Sequence, residues 1–174
     1  AITSAVRRRN PTCHLHVDGA QAFGKVPLDV ATLGADSVAI AGHKFHGPKG
    51  VGVLWTRRTA RLSPQQPGAQ EQGRRAGTEN VLGIAGAGAA AAAAKHWLDE
   101  HPGDIPRLAA LRDRFELAVL CAVPDARVNG PRSADPAVRL WNTTNIAFPR
   151  LEAEALLLAM SERGLAASAG AACS

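Results

Sequence analysis

Three short apolar runs punctuate the first third of this chain. Residues 15–17, 37–41 and 51–55 are compact, apolar and bounded by Asp, Gly and Pro. Such runs predict short buried strands. Residues 26–33 connect the first two, broken by Pro27 and Asp29. The stretch 80–98 gives the longest helical signal, since alanine dominates it and has the highest intrinsic helix propensity. Its alanine run is short of a membrane span and predicts a packed helix. Residues 101–104 form a linker. Beyond them, Leu108, Leu111, Phe115 and Leu120 recur at helical spacing, which predicts an amphipathic helix over 105–123. Residues 138–148 alternate enough for a strand containing Trp141 and Ile146. Residues 151–163 predict a helix ended by Gly164, and 165–173 a strand or loop. This order fits a large α/β domain over residues 1–100, followed by an incomplete small α+β domain over residues 101–174. No internal repeat is evident.

Composition narrows the partners. The chain has 174 residues, 46% of them hydrophobic, enough for a real core. The net charge of +5 comes mostly from arginine, in Arg7-Arg8-Arg9, Arg57-Arg58 and Arg74-Arg75. These clusters are dispersed and have few aromatics between them, so nucleic acid is not expected. A solvated basic surface is the simpler reading, and an acidic partner surface stays open. Cys13, Cys121 and Cys173 are odd in number and far apart, which suggests neither a disulfide framework nor a CxxC metal site. A reducing cytoplasm fits.

Chemistry concentrates after two of the strands. Lys44 lies in Ala41-Gly-His-Lys-Phe-His-Gly-Pro-Lys-Gly-Val-Gly52, directly after the run 37–41. A lysine at the end of a buried strand is placed for desolvation, which lowers an amine's pKa and makes it nucleophilic toward an aldehyde. A strand-end lysine reaching into solvent is the bland alternative. In His14-Leu-His-Val-Asp-Gly-Ala-Gln21, Asp18 can pair with a protonated pyridine nitrogen. Gln21 offers an amide to a ring oxygen. A turn aspartate and a solvent-facing glutamine are the ordinary readings. Thr78 precedes the long helix, whose N-terminus suits phosphate; an N-cap threonine is the plain reading, and both roles are compatible. Cys173 sits among glycine and alanine, where a small apolar residue is the plain reading.

Rival constellations are weaker. His14, His16 and Asp18 share one strand face, but one strand rarely closes a metal site, and none is expected. Gly47-Pro-Lys-Gly-Val-Gly52 lacks the GxxxxGK[ST] pattern and leads into a strand, so Lys49 reads as a turn residue. Asn142-Thr-Thr-Asn145 suits a substrate contact or a polar strand edge equally.

Four motifs in order carry a resemblance over almost the whole chain. They are His16-Val-Asp-Gly-Ala-Gln21, Gly42-His-Lys-Phe-His-Gly-Pro-Lys-Gly50, Gln70-Glu-Gln-Gly-Arg-Arg-Ala-Gly-Thr-Glu-Asn80 and Ala167-Ser-Ala-Gly-Ala-Ala-Cys-Ser174. Together they resemble the fold-type I, class V aminotransferases, and within them the cysteine desulfurases and selenocysteine lyases. The resemblance implies a pyridoxal phosphate (PLP)-dependent transferase fold with a mixed, mostly parallel sheet. It implies Lys44 as the lysine bound to the cofactor, Asp18 on the pyridine nitrogen and Gln21 on the phenolic oxygen. His43 would be a phosphate ligand. Thr78 would reach the partner's cofactor phosphate across a homodimer interface, with Arg75 near that junction. Cys173 would take sulfur from L-cysteine as a persulfide, for delivery to a sulfur-acceptor protein or iron–sulfur assembly. Ala41, Gln72 and Gly170-Ala-Ala-Cys173 depart from the common desulfurase pattern, and the last is also similar to selenocysteine lyases. No segment resembles the family's N-terminal half, so the chain is expected to be an internal piece of an enzyme, with little activity alone. A catalytically silent binding module is the alternative from another class.

Overall fold

The structure, a computed structural model, describes residues 2–132 and 138–170. The chain divides into two compact units, Ala1–Pro102 and Gly103–Ser174.

The first unit is built on a three-stranded sheet. β1 (His16–Asp18) pairs in parallel with β2 (Ser37–Ala41), which pairs antiparallel with β3 (Gly52–Thr56). The sheet is therefore mixed, and β2 lies at its centre. Ser37 and Val38 are almost fully buried there, as is Ala35 just before them. β3 differs from the expectation of a buried strand. Gly52, Val53 and Leu54 are exposed, while Trp55 and Thr56 are half-buried, as β3 is an edge strand of this sheet.

Asp36 ties the edges of this unit together. It accepts from the Leu15 backbone N–H at 2.8 Å and pairs with Arg7 of α1 (Ile2–Arg9) and with Arg57 at 3.7 Å. Arg7 also donates to the carbonyls of Pro11 (2.9 Å) and Cys13 (2.6 Å). Arg7 and Arg57 are thus structural, a correction to the reading of the arginine clusters as solvated surface. The leading cause of the lowered Asp36 pKa is the Leu15 hydrogen bond, which outweighs burial and is joined by Arg7 and Arg57.

Between β1 and β2 the chain makes a helical turn at residues 20–25, then α2 (Val30–Leu33). Asp29 caps α2 through the Ala31 N–H at 2.9 Å, and Gly34 ends it at φ 66°. α3 (Gln70–Gly73) is a single distorted turn in which Glu71 and Gln72 both have positive φ. α4 (Val81–Glu100) is the predicted alanine-rich helix. Its N-cap is Asn80, whose side chain accepts from Gly83 N–H at 3.0 Å. The N-cap reading for Thr78 is therefore corrected: a residue two positions later does that work.

The second unit contains α5 (Asp104–Ala122), β4 (Arg127–Val128), β5 (Ile146–Ala147) and α6 (Ala153–Ser161), with β4 and β5 antiparallel. Two expectations are overturned here. The buried face of α5 carries Ala109, Arg112 and Glu116, while Leu111, Phe115 and Leu117 are exposed. The strand expected over 138–148 shrinks to Ile146–Ala147. Both differences have one cause. Glu116 pairs with Arg139 and accepts from the Thr144 hydroxyl, and Arg112 donates to the Leu140 carbonyl at 2.7 Å. Buried charges must be paired, so the 139–144 segment follows these anchors instead of a ladder.

Candidate functional site

β1 and β2 run parallel and release their chains at the same edge of the sheet, with Asp18 in register with Ala39. Asp18 is the last residue of β1, and the 3-10 turn Gly42–Phe45 begins immediately after β2. The carboxyl ends of neighbouring parallel strands are where open α/β sheets collect ligand-binding groups. Asp18 is exposed; one carboxylate oxygen accepts from Ala20 N–H at 2.9 Å, and the other makes no hydrogen bond among the described residues. Gly19 follows because space is short. A Cβ there would sit 3.1 Å from Val38 Cγ1 and 3.2 Å from the Ala39 carbonyl oxygen.

The Lys44 turn is fixed by its backbone and by one side chain. Gly42 N–H donates to the Val51 carbonyl, and Gly47 N–H to the Gly42 carbonyl, both at 2.9 Å. A Cβ at Gly47 would meet that same Gly42 oxygen at 2.9 Å, so glycine is required. His46 takes φ 68° to reverse the chain. Phe45 is buried, and its ring meets Phe23 edge to face at 4.7 Å between centroids. With Phe45 turned inward, His43 and Lys44 project outward and are exposed. The expectation of a desolvated Lys44 is corrected: it has left the strand for the turn, and nothing among the described residues covers it.

α4 supports this turn from below. A Cβ at Gly86 would lie 2.6 Å from Pro48 Cγ, and one at Gly83 2.5 Å from Val51 Cγ2. Ala87 packs beside Gly42 and Gly47. Small residues on one face of the helix thus let it approach the loop closely.

Gln21 lies in the turn 20–25, exposed, and Lys25 Nζ donates at 2.9 Å to both its backbone oxygen and its Oε1. Sequence reasoning missed Lys25, although its i,i+4 spacing from Gln21 was a usable signal. Burial lowers the Lys25 pKa, and the nearby Lys44 charge lowers it further. The structure therefore sets the loop carrying Gln21 and Lys25 against the Lys44 turn through the Phe23–Phe45 contact, with Lys25 close enough to Lys44 to feel its charge. Thr78 is exposed ahead of α4, beyond Gly77 at φ 106°, and hydrogen-bonds none of these residues. Arg75 donates to the Ala76 carbonyl. Cys173 lies outside the described residues.

The other candidates resolve differently. His14 Nε2 and His16 Nδ1 both meet the buried Ser37 hydroxyl, at 2.9 and 2.8 Å. A hydroxyl has one donor and two acceptor sites, so at least one imidazole donates to it. Among the described residues no three His, Cys, Asp or Glu side chains gather as a metal-ligand set. An arginine-lined cleft of Arg57, Arg58, Arg61 and Arg74 is separate, since none of the residues around Lys44 lines it. No helix among the described residues is long and apolar enough to cross a membrane.

Comparison with known proteins fits this geometry. The family model described as aminotransferase class-V matches residues 1–174. The chain is 46% identical over 169 residues to cysteine desulfurase 2 of Trichormus variabilis, covering 97% of this chain and 40% of that protein. It is 46% identical over 159 residues to the cysteine desulfurase NifS of Azotobacter vinelandii, covering 91% and 38%. The solved NifS-like protein of Rickettsia africae superposes with a TM-score of 0.81 at 30% identity, over 98% of this chain and 46% of that one. The chain thus spans about two fifths of the length of the curated relatives it matches.

Proposed function

This chain belongs to the aminotransferase class-V family, and from that premise we propose that it is part of a PLP-dependent cysteine desulfurase. The observation that carries the reading is the exit of Asp18 and of the Lys44 turn from adjacent parallel strands, at one edge of the sheet. The donor set there suits the cofactor. A carboxylate with an open oxygen, an amide, an imidazole and an exposed primary amine match a pyridine nitrogen, a phenolic oxygen, a phosphate and an aldehyde.

When bound, PLP supplies the electron sink for charge at the substrate α-carbon. Lys44 Nζ would hold the aldehyde end of the cofactor and would be placed to carry the proton of the substrate α-carbon. Asp18 would keep a proton on the pyridine nitrogen, Gln21 would donate to the phenolic oxygen, and His43 would meet the phosphate. Thr78 would serve the cofactor phosphate of the partner subunit in a homodimer. The thiolate of Cys173 would attack the sulfur of L-cysteine as its Cβ–S bond breaks, leaving a persulfide on Cys173, while the substrate carbon keeps the electron pair, takes up a proton and leaves as L-alanine. Exclusion of water over the exposed Lys44 falls to parts of the enzyme beyond these residues. On this reading residues 1–100 belong to a large cofactor-binding domain and 101–174 to a small one. The product sulfur passes to an acceptor protein in the cytoplasm, for iron–sulfur cluster assembly or another carrier.

The test uses a protein of the relatives' full length containing this chain. Alanine release is measured from L-cysteine and L-selenocysteine, with Lys44→Ala and Cys173→Ser alongside. Release from L-cysteine, lost in both variants, is the expected result. Release from L-selenocysteine alone would reassign it as a selenium lyase. Absence of both, with no coloured cofactor complex, would leave a silent binding module.

A further inference from the structure

Lys25 is the cation on the site's inner loop to which no role has been assigned. Three independent features fix it there. Its loop is a helical turn, closed by Phe23 N–H on the Gly19 carbonyl (2.9 Å) and Lys25 N–H on the Ala22 carbonyl (3.0 Å). That turn is clamped to the Lys44 turn: Phe23 packs on Phe45, and a Cβ at Gly24 would lie 2.9 Å from Phe45 Cβ and 3.2 Å from Ala94 Cβ. Gly24 also holds φ 75°, which an L side chain rarely adopts. The third feature is the pair of bonds from Lys25 Nζ to Gln21 O and Oε1.

The second of those bonds has a directional consequence. An ammonium only donates, so the Gln21 atom facing Lys25 must be the amide oxygen. The other face of the amide is then its NH₂ group, which only donates. A glutamine free to flip offers either an acceptor or a donor on a given face; one held through its oxygen turns its N–H donors to the opposite face. Such a group favours an anionic oxygen and disfavours a hydroxyl that must itself donate.

We propose that Lys25 is a positioning residue that holds Gln21 through its amide oxygen and so presents its N–H donors to the phenolate form of the cofactor's ring oxygen. This rests on the proposed role of Gln21 at that oxygen. Lys25 acts through Gln21 without touching substrate. The lowered pKa of Lys25, from burial first and Lys44 second, fits an ammonium confined beside another cation and supported by two oxygens.

The experiment uses the full-length protein loaded with PLP. Two readouts besides turnover are taken: the dissociation constant for PLP, and the pH midpoint at which the visible band of the bound cofactor titrates. Lys25→Met is expected to raise that midpoint by about half a pH unit or more, because a donor to the phenolate and a nearby positive charge both weaken. PLP binding should weaken several-fold. Lys25→Arg, which keeps the charge and a donor, should stay near the parent. Gln21→Leu should raise the midpoint, and adding Lys25→Met to it should shift the midpoint less than half as far as in the parent. A parent-like midpoint in Lys25→Met would overturn the proposal. So would an equal shift with and without Gln21, which would leave a bare charge effect. A parent protein that forms no coloured complex would instead refute the PLP reading itself, before Lys25 enters.

Discussion

Asp36 shows how one carboxylate sets the frame on which Lys44 is mounted. It holds the approach to β1 through Leu15, the start of β2 through its own backbone, and the segments around Arg7 and Arg57. Its native pKa is held below the ordinary value, so its stabilisation is present at neutral pH. It is lost as pH falls below the unfolded value of about 3.9 and through the lower native one. Asp36→Asn should cost about 1–3 kcal/mol at neutral pH. Urea melts of the full-length protein at several pH values should show the gap between parent and variant narrowing as pH falls below the unfolded value of about 3.9. A gap constant across that range would contradict the charge-based account. At this scale the sequence was partly legible. Lys44, Asp18 and Gln21 stood out because they follow apolar runs and fall in dense motifs. Asp36 did not, because its partners Arg7 and Arg57 are far away in sequence, and charge pairing over such distances leaves no periodic trace. Lys25 was missed for the opposite reason: a lysine in a turn is commonplace until its acceptor is seen.

The element that most directly positions the site is α4, and its sequence explains how. A helix of alanine and glycine offers little side-chain bulk, so its backbone approaches the Lys44 loop closely. Gly83 and Gly86 face Val51 and Pro48, where an added Cβ would overlap at 2.5 and 2.6 Å. Gly86→Val should therefore push Pro48 and the following turn outward, at a cost of about 1–3 kcal/mol. Thermal or urea unfolding checks the stability. Weaker PLP binding in the same variant would show that the displacement reaches Lys44. Gly88→Val is the control, since a Cβ there meets nothing within 4 Å. Asn80→Ala should cost about 1 kcal/mol through the lost N-cap. The helices α4, α5 and α6 were legible from propensity and period, since both act locally. The strand expected over 138–148 was not. Its alternation was real, but Arg139 and Thr144 are spent on Glu116, a buried acid whose need for partners outranks a ladder. The same competition inverted α5, turning Arg112 and Glu116 inward and leaving Leu111 and Phe115 outside.

At the scale of the whole molecule, the distribution of apolar surface is the main physical constraint. In α4, Val81 is 69% and Leu82 87% exposed, and in β3 Val53 and Leu54 are about half exposed. Leu111, Phe115 and Leu117 stand open on α5 in the other unit. Single exposed apolar residues are ordinary, but clusters on one helix end and one sheet edge mark surface that another structure covers. The chain spans about two fifths of its relatives' length, and covering these clusters is work for the remainder of such a protein or for a second subunit. The 174-residue chain prepared alone should therefore bind a hydrophobic reporter dye strongly and self-associate as its concentration rises. The full-length protein should do neither to the same degree. Leu82→Glu, placed on the most exposed of these positions, separates the causes. It should reduce dye binding and self-association of the short chain, because an exposed site tolerates the charge. In the full-length protein it should weaken folding or assembly by about 1–3 kcal/mol, because there the charge meets a covered face. A short chain that stays monomeric and dye-silent would overturn this account of the exposed apolar surface.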